Sequence, residues 1–390
     1  MTSRRLGVAR AVVDGRLVAG DVAVTDGVVS QVGLSPAGRG VAAPGLIDLQ
    51  VNGFGGIDLL QAAADTEWLE LGSRLLGIGV TAYQPTLITS APALTRSALR
   101  RAGRLIARPE TDQPGVARPG IDRPGGARIL GVHLEGPFIS AQRLGAHPPE
   151  HRLDPDRALL ERLLRAGPVT MLTLAPELPG ALELIDAAAA RGVVVSLGHS
   201  AADAAAVRRA ITAGARAVTH VFNAMPPVSA RAPGLSGLAL TAPELTPMCI
   251  ADGVHLADDT IRLLLAGAAP RLVLTSDCIA AAGTDANRTL LGLTKLTVSD
   301  RRVTRPDGTL SGSIGTVPEA VSRLFALGAS LEVAINAATR NPAALLGRDD
   351  IGNLRPGARA DIVILDDDGQ PPLRVVQVLR DGRPVAGPGQ

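Results

Sequence analysis

At 390 residues the chain is long enough for a large core, and 39 Lys and Arg against 37 Asp and Glu leave a formal net charge of +2, which excludes the broad basic field that nucleic-acid binding needs. Its two cysteines, Cys249 and Cys278, lie in apolar runs, which excludes a disulfide framework and reads as two small core residues in a reducing compartment. Arg10 and Asp14 break the first apolar stretch below signal-sequence length and no later run could span a bilayer, so we expect a cytoplasmic protein with a small-molecule partner, no nucleic acid and no membrane.

In chain order, Leu6 to about Gly40 alternates short Val-rich runs with turn pairs at Asp14-Gly15, Gly20-Asp21 and Asp26-Gly27, which is hairpin chemistry. The same texture returns in ADIVILDDDG, LRVVQVL and Asp381-Gly382. The economical expectation is that 1–43 and 346–390 pair into one discontinuous β-sandwich-like domain flanking a domain over 44–345.

Between the ends the rhythm changes to alternating strand-like and helix-like segments. Eight strand candidates stand out: Gly45 to Leu49, Gly79 to Tyr83, Ile129 to Leu134, Val169 to Leu174, Val193 to Leu197, Ala217 to Val221, Met248 to Ala251 and Arg271 to Thr275. Eight such units point to an α/β fold, a (β/α)8 TIM-like barrel. Asp154 to Ala166 reads as a helix, and Ser200 with Asp203 reads as a capping-box start to the helix that a glycine closes. The Pro-, Gly- and Arg-rich stretch Pro109 to Ala127 reads as an exposed, mobile insertion away from the chemistry.

A barrel of this kind carries its site at the carboxyl ends of its strands. There the sequence places Asp48, Gln50 and Asn52; Gln84; His133 and Glu135; Glu177; His199; His220 and Asn223; Asp252 and His255; and Asp277. Side-chain bonds to backbone would account for Gln84 and Glu177 equally well. The histidines are harder to explain as loop caps, because four of the six fall at these strand ends. Two imidazoles and a carboxylate from separate strands are the ligand set of a catalytic zinc with an open position for water, and Glu135, His199 and His220 are the candidates. Gly53, Gly55 and Gly56 miss the helix context of a phosphate loop and read as glycines that let the backbone approach the metal pocket. Cys278, next to Asp277, points to the opposite face and reads as core.

The ordered runs PGLIDLQVNGFGG, HLEGPF with GAHPPEH, LAPE, SLGHS, THVFNAMPP, ADGVH, LTSD and LSGS resemble the N-acetylglucosamine-6-phosphate deacetylases of the amidohydrolase superfamily, from about Ala43 to Gly315, and Gly352 to Asp361 is similar to that family's return into the small sheet. The resemblance implies one divalent metal ion, zinc or else iron or cobalt, held by Glu135, His199 and His220, with Asp277 as catalytic acid and base. It implies that Ala146 and His147 lie against the sugar and its acetyl group, with His147 available to the oxyanion. Asn223, Ala224, Arg231 and His255, with Asp252 of the same ADGVH run, would hold the sugar and its 6-phosphate, and Leu310, Ser311 and Gly312 would close over it. The family acts as homodimers, so Arg231 or His255 could act within a subunit or across an interface.

Many members of the superfamily have a His-x-His pair after the first strand, where this chain reads Gln50-Val51-Asn52. Neutral amides are poor transition-metal ligands, so a second metal site is not expected. The implied chemistry is hydrolysis of a phosphorylated amino sugar's acetamide in amino-sugar catabolism and cell-wall sugar recycling. Two alternatives stay open at this point: an amidohydrolase acting on N-acyl amino acids or cyclic amides, and a non-catalytic assembly protein of the same fold.

Overall fold

The computed structural model describes residues 3–108, 125–366 and 370–385. Eight parallel strands form the barrel: β1 (Leu46–Val51), β2 (Val80–Ile88), β3 (Val132–Glu135), β4 (Val169–Leu174), β5 (Val194–Leu197), β6 (Ala215–Val218), β7 (Thr246–Cys249) and β8 (Val273–Leu274), hydrogen-bonded in that order. All eight overlap strand candidates in the sequence, the sixth and seventh lying two or three residues earlier than expected. The third differs in detail: it breaks into Arg128–Ile129 and β3 at Gly131, whose φ is +102° and whose side-chain position lies 2.2 Å from Thr170 Oγ1, so no larger residue fits between β3 and β4.

No ladder joins β8 to β1 among the described residues; side chains and, just beyond β8, backbone bonds to Cys278 close the seam. The Asp48 carboxylate accepts from Thr275 Oγ1 (3.0 Å), from Ser276 N–H (3.1 Å) and from the Ser276 hydroxyl. Burial pushes Asp48 up to about 6 against these hydrogen bonds. Below it, Ala337 and Ala338 carbonyls accept from Leu274 and Ile47 N–H groups at 2.7 and 2.8 Å. Ile47, Leu49, Ala82, Met171, Ala217, Met248 and Val273 fill the barrel floor, so the lower half of the ring is a packed apolar core.

The helices largely follow the expected caps. Asp156 caps the helix Arg157–Ala166 by accepting Leu159 N–H at 2.9 Å, and Asp203 caps Ala204–Thr212 by accepting Ala206 N–H at 2.7 Å. Ser200 does not share the second cap: its hydroxyl donates to Glu177 at 2.8 Å and accepts from Ala202 N–H at 3.0 Å, ahead of the helix.

The chain ends pair as the sequence texture suggests. A six-stranded sheet runs Arg383–Val385, Arg374–Arg380, Ile362–Asp366, Val41–Pro44, Arg10–Val13, Arg16–Ala19, with Ile362 opposite Pro44 across the join. A second sheet of Ser3–Arg5, Asp21–Thr25 and Val28–Leu34 covers it over a core that includes Val22, Val24, Val29, Ile362 and Leu379. Asp14-Gly15, Asp26-Gly27 and Asp381-Gly382 all have positive φ at both residues, as tight hairpin turns require. Gly20-Asp21 is different: Asp21 is fully buried and accepts N–H groups of Gly7, Val8 and Val22 while pairing with Arg5, so it anchors a strand rather than making a turn.

One element has no counterpart among the strand candidates. A three-stranded antiparallel flap of Arg288–Leu291, Thr294–Ser299 and Arg302–Thr304 follows β8 and reaches over the barrel mouth. The expected insertion from Pro109 lies outside the described residues as far as 124; Ala127, at its end, is buried, with its N–H on Gly72 O at 2.8 Å. Among the described residues no helix is long and apolar enough to cross a membrane.

Candidate active site

The ends of β3, β5 and β6 bring Glu135, His199 and His220 together inside the mouth. Glu135 Oε1 lies 3.0 Å from His199 Nε2 and 2.9 Å from His220 Nε2, and the two nitrogens are 3.0 Å apart. His199 Nδ1 sits 2.8 Å from the Arg143 backbone carbonyl, which can only accept, so Nδ1 carries the proton and Nε2 presents its lone pair inward. Three convergent N, N and O ligand atoms, all within 4.8 Å of one another and buried, fit a divalent metal ion. Burial alone would raise the Glu135 carboxyl, yet the surrounding imidazoles of His147, His199 and His220 hold it well below the usual carboxylate range.

Backbone conformation aims these groups. His199 (φ 47°), His220 (φ 29°), Ala224 (φ 51°) and Asp277 (φ 50°) all occupy the left-handed region that residues other than glycine seldom adopt, so their neighbours must hold them there. Around His199, Glu177 supplies this restraint: its two carboxylate oxygens accept from Ser200 Oγ (2.8 Å) and Ala201 N–H (2.6 Å). Asn223 does the same for His220, donating from Nδ2 to the His220 carbonyl at 3.2 Å. Gln84 serves the framework too, donating to Thr170 Oγ1 at 2.6 Å. His133 is fully buried beneath the cluster against Leu49 O and Thr173 Oγ1, and burial pushes it down to about 4, so it stays neutral.

Above these three side chains lies a cavity of about 320 Å³. Asp277, His147, Ala146, Asn223, Ala224, His255 and the run Leu310 to Gly312 all line it. Asp277 is pushed up to about 8 by burial and by the nearby Glu135 charge. Thr89 N–H points at His147 Nδ1 (3.3 Å), which makes Nδ1 the acceptor and leaves Nε2–H facing the cavity, 3.8 Å from Glu135 Oε2. Burial pushes His147 down to about 4, so this donor is a neutral imidazole.

Two of the expected substrate contacts stand elsewhere. Asp252 is behind the lining, where it accepts from His255 Nδ1 at 2.8 Å and from the N–H groups of Val254 and His255, so it orients His255. Arg231 is exposed on its loop and outside the lining. The glycines after β1 also have another neighbour: Gly55 and Gly56 N–H groups bond the carbonyls of Ala282 and Ala280, and a side chain at Gly53 would meet Ala280 N at 2.8 Å, so the close approach they permit is to the loop behind Asp277.

Sequence reasoning misses Arg143 and the flap. Arg143 lines the cavity with its Nε buried and unpartnered, and its only signal in the sequence is a basic residue between HLEGPF and GAH. From the flap, Leu291 lines the cavity, while Arg305 just beyond donates to Gly145 O at 3.1 Å and ties the cover to the GAH loop.

The amidohydrolase family profile matches residues 41–387. The N-acetylglucosamine-6-phosphate deacetylase of Rattus norvegicus is 40% identical over 346 residues, 85% of this chain and 80% of that protein. The N-acetylgalactosamine-6-phosphate deacetylase of Escherichia coli O157:H7 is 33% identical over 353 residues, 88% of this chain and 89% of that one. A mutant N-acetyl-D-glucosamine-6-phosphate deacetylase from Mycobacterium smegmatis, solved in complex with N-acetyl-D-glucosamine-6-phosphate, superposes with a TM-score of 0.87 at 31% identity, over 99% of this chain and 100% of that one. On this similarity along most of its length, the chain belongs to the amidohydrolase family and, within it, to the N-acetylglucosamine-6-phosphate deacetylases.

Proposed function

We propose that this chain hydrolyses the N-acetyl group of N-acetyl-D-glucosamine 6-phosphate to D-glucosamine 6-phosphate and acetate, as a zinc-dependent, cytoplasmic homodimer in amino-sugar catabolism. The observation that carries the reading is the Glu135, His199 and His220 cluster set beneath a cavity that Asp277 and His147 both face. The domain division at 1–43 with 346–390 and at 44–345 belongs to this reading, since the small sheet contributes none of the cavity lining.

When bound by Glu135, His199 and His220, a divalent ion supplies Lewis-acid polarisation of the acetyl carbonyl and lowers the pKa of water from about 15.7 towards about 7. Asp277 takes the proton from the attacking water and delivers it to the amide nitrogen as the C–N bond breaks, a transfer typically worth about 10² to 10⁴ in rate. His147 donates from Nε2–H to the developing oxyanion, a role for which a neutral imidazole held by Thr89 suits. His255, oriented by Asp252, and Arg143 supply donors for the phosphate within the subunit, with Asn223 and Ala224 against the sugar. Arg231, exposed on its loop, reaches phosphate from one subunit to its partner. Leu310, Ser311 and Gly312 close the cavity beneath the flap.

Acetate release from N-acetylglucosamine with and without the 6-phosphate, in metal-stripped and metal-restored enzyme, tests the reading. Turnover that needs both phosphate and metal supports it, and equal turnover of the two sugars overturns the phosphate assignments. The galactosamine epimer is the second substrate to measure, because a relative named for it is 33% identical over 88% of this chain.

A further inference from the structure

Asn52 stands where many members of the superfamily have a metal-binding histidine, and its amide is turned to another use. It is 3% exposed, it lines the cavity, and its Nδ2 donates to Asp277 Oδ1 at 2.8 Å. Among the described residues this is the Asp277 carboxylate's one hydrogen bond. The backbones beneath the pair are locked: Asn52 and Gly53 N–H groups bond Cys278 O at 2.9 and 3.1 Å, Val51 bridges to Cys278, and Ser313 N–H holds Asp277 O at 3.0 Å. The main chain therefore delivers the carboxylate to the cavity but leaves its final rotation open, and a terminal carboxylate torsion is broad.

We infer that Asn52 is a positioning residue for Asp277: by engaging Oδ1 it stops that rotation and leaves Oδ2 as the oxygen that faces the reacting water. The inference rests on the proposed deacetylation, in which Asp277 moves the proton. An amide suits the task because it donates a directed hydrogen bond without adding charge or competing for the ion that Glu135, His199 and His220 would hold. Loss of such orientation, with the reacting groups still present, costs on the order of 10²-fold in rate.

The test is Asn52→Leu, which keeps the shape and removes the donor, with Asn52→Ala as a second variant should the first fail to fold. We expect kcat to fall about 10- to 100-fold with KM changed less than about threefold. Elemental analysis should find the same metal content as in wild type, one ion per chain, and calorimetry the same affinity for D-glucosamine 6-phosphate. The double variant with Asp277→Asn should be no slower than Asp277→Asn alone, since a residue acting through Asp277 has nothing left to position. Multiplying effects, a kcat within threefold of wild type, or metal lost together with activity would each overturn the inference while leaving the deacetylase reading intact. Wild-type enzyme that releases no acetate would remove both.

Discussion

The chain buries carboxylates in two quite different surroundings. Where the small sheet meets the barrel, Asp361 accepts both Nη1 contacts of Arg380 at 3.0 and 2.9 Å, the Asp381 N–H at 2.8 Å and Arg128 Nε at 3.3 Å. Those cations and donors overcome its burial and hold the carboxyl below its ordinary range. At the barrel mouth Asp277 has a single amide donor and the negative Glu135 nearby, and it is pushed up to about 8. The same residue type is thus compensated in one place and left wanting in the other. The first arrangement holds two sheets together, and the second belongs to the group that moves the proton in the proposed reaction.

Substitutions can test this contrast from its strongest consequence down. Asp277→Asn, nearly identical in shape, should lower kcat by about 10² to 10⁴ while circular dichroism and metal content stay at wild-type levels; near-normal turnover would show that Asp277 moves no proton. Asp361→Asn takes from Arg380, only 4% exposed, its buried counter-charge but leaves it the part-exposed Asp381 at 3.3 Å, and should cost about 1 to 3 kcal/mol in denaturant unfolding with kcat unchanged. If it proves neutral, the inter-sheet cluster is not a stabilising one.

The same aspartate makes a pH prediction. Because its folded pKa is lowered, its contribution is present above the unfolded carboxylate value of about 3.9 and is lost as pH falls through the lower folded value. Wild type should therefore lose stability below about pH 4 more steeply than Asp361→Asn, and parallel acid limbs would contradict the assignment. The smallest effect concerns the cavity's unpaired cation. Arg143→Ala should raise KM about tenfold for the phosphorylated sugar and little for the unphosphorylated one, and on the proposed role of Arg231 so should Arg231→Ala. Equal effects on both substrates would mean that neither arginine reads phosphate.

Much of this architecture is legible in the amino-acid sequence. The hairpins are, because an Asp-Gly pair determines its own backbone, as at Asp14-Gly15, Asp26-Gly27 and Asp381-Gly382. So are the barrel strands, because buried parallel strands are short aliphatic runs. His199, His220 and Glu135 show themselves as polar residues ending such runs. The role of Ser200 is not legible, since Glu177, more than twenty residues earlier, draws its hydroxyl proton and turns the oxygen to Ala202 N–H instead of the helix. The ADGVH motif likewise points to Asp252 as a pocket residue, whereas its neighbour His255 occupies the lining and Asp252 steadies it.

The amino-acid sequence alone determined which elements form and which residues end the strands, for those depend on local periodicity and turn chemistry. Only the tertiary structure decided which polar groups meet: that Asp48 stitches β1 to β8, that Asn52 reaches Asp277 across 225 positions of chain, and that the flap and Arg143 complete the cavity. These are contacts between segments far apart in the chain, and their geometry is set by barrel closure and packing, which no window of neighbouring residues encodes.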